Sequence, residues 1–273
     1  MSFKEDIENY LIKTFKIKYY RGSQFHPNLI VESLKSLFGL NPQKGNKIIL
    51  DYLPKYLNKF EENNESDISV ENVEYFASMI NLEILLKENN FDESRNEIKR
   101  LLQVSTGEPI LELFIIIYLK NITLLPNLFS VYRSVKFCNG RNVDEAIFLM
   151  LNFAEKNHKT TNNLSKIFFL NYSTSILEIS QNIFIRDLEI KNILQEIDYK
   201  MVNNQISANK KSDFGEELIL NGRNQILDYI NKNPKIIKND KNILLLNSLR
   251  TFLRYRKSDE YDRQLHFAVN ELE

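Results

Sequence analysis

Glycine occurs only seven times and proline six times in this 273-residue chain. Average usage would supply about 7% glycine and about 5% proline. A sheet-rich or α/β fold draws on glycine for tight turns and for close backbone approach to ligands. A chain this short of it is expected to be all-α. Its apolar content of 43% and charged content of 26% are those of a globular protein. At this length about 70–75% of the unfolded surface can be buried, enough for a core without staples.

Helix signals recur along the sequence. Ser2 and Glu5 form a capping box, followed by Ile7, Leu11 and Phe15 at intervals of four. Pro27 suits a first helical turn and Gly39 an end, predicting a helix over 27–38. The next segment, 42–60, contains Pro54, which is expected to kink or split it. The acidic stretch 61–67 reads as a linker. Asp67 or Ser69 is then expected to cap a long helix reaching Leu86. That helix carries two apolar stripes: Val73, Phe76, Ile80 and Ile84, and Tyr75, Met79, Leu82 and Leu86. Two stripes predict packing on both sides. The following segment, "FDESRNEIKRLL", has acids in its first turn and bases in its last, as the helix dipole prefers. Pro109 opens a helix whose residues 110–119 are apolar nearly all round, which predicts a central buried helix. A buried strand is the rival reading of "FIIIYL".

Further helices are expected near 123–137, 142–157, 162–178, 183–202, 214–232, 241–257 and 259–272. Asp240 and Ser258 read as N-caps, and 203–213 as a polar loop or a boundary. Short connections make neighbouring helices antiparallel, hence stacked αα-hairpins. An open solenoid and a compact multi-helix bundle both fit. The organisation expected is an N-terminal helical subdomain over 1–66, a central hairpin array over 67–205 and a helical cap over 206–273, or all three as one continuous domain.

Two turns share a pattern. A polar turn leads into Phe91-Asp92-Glu93-Ser94 and, again, into Val143-Asp144-Glu145-Ala146. This resembles the inter-helix turn and second-helix start of tetratricopeptide-like repeats. The stretch 131–157 is also similar to one pentatricopeptide unit, in which the small residue, here Ala146, lets the paired helix approach closely. The resemblance implies αα-hairpin architecture and a surface for an extended partner: peptide for the first family, single-stranded RNA for the second. It carries over no functional residue, because the two turns lie 52 residues apart (Phe91 to Val143) and the chain has no tryptophan.

Charge is balanced overall, with 36 basic and 36 acidic residues, so no whole-chain field favours nucleic acid or membrane. It is unevenly spread. Residues 10–60 carry nine Lys/Arg against Glu32 and Asp51, whereas residues 60–86 carry seven acids and no base. The single cysteine, Cys138, permits no intrachain disulfide and fits a reducing compartment. The start, "MSFKEDIENYL", lacks the apolar core of a signal peptide. The most apolar run, 110–119, is half the length of a bilayer span. A soluble, cytoplasmic protein is expected.

Catalytic and metal motifs find no support. His26, His158 and His266 are far apart in sequence, and no HxxxH pair occurs. Glu155 and His158 show a di-iron spacing once, where two copies are needed. Cys138 ends a helix, where the carbonyl dipole works against a thiolate. The segment 41–47 lacks the Gly-Lys-Ser/Thr of a phosphate loop. No cofactor is expected. Two partner-binding candidates remain. In "KYYRGSQFHPN", Lys18, Arg21 and the N-terminus opened by Pro27 can hold an anion, Tyr19 and Tyr20 can stack, and His26 lies beside them; the same aromatics can instead seal one helix on the next. In "SLRTFLRYRK", Arg250, Arg254 and Lys257 share one helix face behind Leu246, Leu249 and Leu253. The function expected is a helical scaffold that binds a protein or extended peptide through a groove or charged faces. RNA binding through the basic faces is the alternative.

Overall fold

The computed structural model describes residues 3–17, 25–41, 47–62, 76–118, 121, 124–157 and 216–255. Ten α-helices, one 3-10 turn and no strand occur among them. They are α1 (Phe3–Phe15), α2 (Pro27–Phe38), α3 (Lys47–Leu57), α4 (Met79–Lys87), α5 (Phe91–Val104), α6 (Glu108–Ile117), α7 (Leu125–Phe137), α8 (Val143–Asn157), α9 (Glu216–Lys232) and α10 (Asp240–Tyr255), with the 3-10 turn at Ile236–Lys238. The fold is all-α. The rival strand at "FIIIYL" is overturned: Phe114–Ile117 lie in α6, which has Pro109 in its first turn, and Tyr118 caps its end. Helices expected at 162–178, 183–202 and 259–272, the loop at 203–213 and the cap Ser258 lie outside the described residues.

Several ends differ from their sequence signals. Helix α4 begins at Met79, not near Asp67 or Ser69, because Phe76–Ser78 are not helical. Ser78 is extended (φ −137°, ψ 120°) and its side chain accepts the Asn81 N–H, which is how a cap halts a helix. In α3 the helix runs through Pro54 to Leu57. The proline removes one bond near the helix end, and burial of Leu53, Tyr56 and Leu57 offsets it. Helix α5 extends to Val104, so Lys99 and Arg100 sit before its last turn. Asn239, not Asp240, caps α10, accepting the Lys241 N–H at 2.9 Å.

The glycine-poor chain turns on asparagine. Asn89, Asn139 and Asn142 take positive φ, a region open to asparagine because its short polar side chain bonds locally. At the end of α4, Asn90 N–H reaches the Leu85 carbonyl (2.9 Å) and Asn89 N–H that of Leu86 (3.2 Å). At the end of α7, Gly140 N–H reaches Val135 (3.0 Å) and Asn139 N–H reaches Lys136 (3.3 Å). Both are Schellman closures with asparagine in the left-handed position. The helices that follow start alike, and Ser94 and Ala146 at their fourth positions are fully buried. The two turns thus close with the same backbone geometry.

By compactness the chain divides into two units, Met1–Glu32 with Tyr56–Ile167 and Ser33–Lys55 with Phe168–Glu273. In the first, α4 pairs with α5 and α7 with α8, α5 lies on α8, and α6 packs on α4, α7 and α8. Helix α1 lies on α7 and α8. The central positions show in the burial pattern. Six consecutive residues are buried in α6, Ile110–Ile115, and six in α8, Ala146–Leu151. In the second unit α10 packs on α9 and on the 3-10 turn, and the buried residues include Leu34, Leu37, Ile49, Leu53, Ile226, Ile230, Ile237, Ile243 and Leu246. No described helix is long and apolar enough to cross a membrane.

Candidate functional site

Lys18, Tyr19, Tyr20 and Arg21 lie outside the described residues, but the end of their segment is described. His26 is fully enclosed. Its Nδ1 accepts the Asn28 backbone N–H at 3.1 Å, which leaves Nε2–H to donate to the Ile17 carbonyl at 3.2 Å. Phe153 stands edge-on to the imidazole, ring centroids 4.9 Å apart. Burial lowers its pKa to about 4; the Ile17 bond opposes this and the Lys156 charge adds to it. At neutral pH the ring is therefore uncharged. It ties Ile17 to the start of α2 and presents no surface to a partner.

Asn28, one residue beyond Pro27, extends this knot into α1 and α7. Its Nδ2 donates to Thr14 Oγ1 (2.8 Å) and Ser134 Oγ (3.2 Å), and its Oδ1 accepts from Ser130 Oγ (2.9 Å). Thr14, Asn28, Ser130 and Ser134 are all buried. Thr14 and Ser134 keep their own protons on the Leu11 and Ser130 carbonyls, so the amide is what joins the three helices. Two ion pairs with buried carboxylates and more open arginines flank the same helices: Glu32 with Arg133 at 2.7 Å, and Glu8 with Arg141. A buried polar group without partners is costly, whereas a connected network fixes one arrangement.

Cys138 is buried, with Sγ 3.7 Å from the Glu8 carbonyl. Glu155 pairs with Arg95 at 3.5 Å, and His158 lies outside the described residues. No group of three His, Cys, Asp or Glu residues suited to a metal occurs among the described residues.

The second basic candidate is described only at its start. Arg250 Nε donates to Asn247 Oδ1 (2.9 Å), and Asn247 Nδ2 donates to Ser33 Oγ (3.1 Å). The guanidinium is thus held against its own helix. Arg254 is in α10, with its side chain outside the described residues, and Lys257 lies beyond them.

The largest group of exposed apolar residues among those described lies on α4 and just before it, and it corrects the expectation that both stripes are packed. Leu82 and Leu86 are buried, whereas Phe76, Ile80 and Ile84 are 100%, 71% and 48% exposed. At 100° per residue Ile80 and Ile84 lie within one narrow sector, opposite Leu82 and Leu86. The start of α4 is anchored from α5. Glu97, buried, accepts the Ser78 N–H (2.6 Å), the Asn81 amide (3.2 Å) and Arg100 Nη1 (2.8 Å). One carboxylate therefore holds the first turn of the helix that displays the isoleucines. The periodicity was a sufficient signal for the stripe; its exposure depends on where α5 and α6 pack. No protein-family model, no curated protein and no solved structure matches this chain.

Proposed function

We propose that this chain is a helical scaffold that binds another protein, with the outer face of α4 as a contact surface. One observation carries this reading: of the five exposed large hydrophobic residues described, three fall between Phe76 and Ile84. Single exposed apolar residues are ordinary, whereas clustered ones mark interaction sites. Covering a side chain of this size contributes about 1.5–3 kcal/mol. Loss of translational and rotational freedom opposes it, so three such residues support a modest affinity. The helix is held by Leu82 and Leu86 below and by Glu97 at its start, so presenting this face requires no rearrangement.

The test is affinity capture with the tagged wild-type chain and an Ile80→Asp/Ile84→Asp variant shown by circular dichroism to keep its helicity. Capture is run with and without nuclease, at about 0.1 M and about 0.5 M salt. The expected result is a protein set lost from the variant and indifferent to nuclease. Equal capture by both chains overturns the reading. Capture abolished by nuclease and by salt replaces it with RNA binding.

A further inference from the structure

We infer that the partner segment seated on α4 is a basic amphipathic α-helix. The inference rests on the reading of α4 as a contact surface and adds the chemistry of its occupant. Shape comes first. Strand addition needs an edge of unpaired backbone groups, and α4 is a helix whose N–H and C=O groups are used internally. Polyproline recognition needs an aromatic-lined groove, and the exposed helical residues here are isoleucines. A ridge of residues four apart, Ile80 and Ile84, fits the groove between ridges of another helix.

Charge then selects the sign. At 100° per residue Glu83 lies on one flank of the isoleucine stripe and Glu88 on the other. Lys87 lies in line with the stripe and pairs with Glu83 at 2.5 Å, leaving Glu88 as the uncompensated charge of the two. Asp92 and Glu93 open α5, both exposed, just past the turn. A partner helix with Leu or Ile at intervals of three and four and Lys or Arg beside them meets both the apolar ridge and the exposed carboxylates of Glu88, Asp92 and Glu93. An acidic helix meets the ridge and is repelled. Rim charges of this kind act mostly on encounter and on discrimination between partners.

The probes are two labelled peptides of about 18 residues with the same leucine positions, a length that spans the roughly 13 Å of α4. One has Lys and the other Glu at every flanking position. Fluorescence anisotropy is measured against the full-length chain. The basic peptide is expected to bind at least about tenfold tighter than the acidic one. Its affinity falls several-fold between about 0.05 M and about 0.5 M salt, and Glu88→Lys narrows the preference. Equal binding of the two peptides, or binding of neither, overturns the inference. If a partner protein is still captured by the wild type and lost from Ile80→Asp/Ile84→Asp, the contact surface stands and only its assigned occupant fails. If that capture is unchanged by the double substitution, the surface itself fails.

Discussion

Replacing Asn28 tests the buried knot of α1, α2 and α7. In Asn28→Ala three side-chain bonds disappear, those to Thr14, Ser134 and Ser130. They do not count equally. Ser130 has a second acceptor, the Asn127 carbonyl at 2.8 Å, and one proton to give. The variant therefore loses between two and three bonds, each contributing about 1 kcal/mol. Alanine's better helix propensity returns a few tenths. The net cost is about 2–3 kcal/mol, a large share of the 5–15 kcal/mol typical of a folded chain. Asn28→Asp is the sharper variant. In the first turn of an exposed helix an aspartate would stabilise by about 0.3–1 kcal/mol through the dipole. Here the carboxylate is enclosed and faces the Thr14 and Ser134 oxygens, whose protons are committed to backbone carbonyls. It is expected to cost more than alanine at pH 7. Burial raises the folded-state pKa of the new carboxyl above its unfolded value of about 3.9. The extra penalty is thus absent below about pH 3.9 and grows as pH rises through the folded pKa. Urea unfolding followed by far-ultraviolet circular dichroism measures both variants, with an unchanged m-value as the check on comparability. An Asn28→Ala cost under about 0.5 kcal/mol, or a stabilising Asn28→Asp, would refute the reasoning.

Other predictions concern single groups. His26 has a pKa of about 4 in the fold against 6.5 unfolded, so its contribution is complete above about pH 6.5 and lost as pH falls toward 4. At about 1.4 kcal/mol per pH unit the ceiling is about 3 kcal/mol; His26→Gln should flatten this part of the stability–pH curve, and an unchanged slope would count against the burial argument. Gly107 and Gly140 both have positive φ, but a Cβ at Gly107 would come within 2.9 Å of Val143 Cγ2, while nothing lies within 4 Å at Gly140. Gly140→Ala should therefore cost about 1 kcal/mol from backbone strain alone and Gly107→Ala clearly more, as read from the two thermal midpoints. Glu97→Ala releases the start of α4 and leaves Arg100 without this carboxylate. Amide exchange should accelerate at least about tenfold at Leu82–Ile84, with α6 and α8 unchanged.

Much of this protein was legible in its residues. Pro27 and Pro109 mark first turns, Ile7, Leu11 and Phe15 mark a buried face, and Ile110–Ile115 mark a central helix. Each signal is local: a ring that fixes φ, or a period of 3.6 that puts certain side chains on one side. What such signals leave open is which side meets another helix. The two stripes of α4 look alike in sequence, yet Leu82 and Leu86 are buried and Ile80 and Ile84 are not, because α5 and α6 pack on one side of α4. The segment of His26 could be read as a partner site or as a turn sealing one helix on the next; only the fold shows Ile17 and Phe153 enclosing the imidazole. Asn28, Ser130 and Ser134 carried no motif at all, since their partnership spans about a hundred residues of chain. Helix formation is settled by neighbours along the chain. Burial, and with it the surface left for a partner, is settled by neighbours in space.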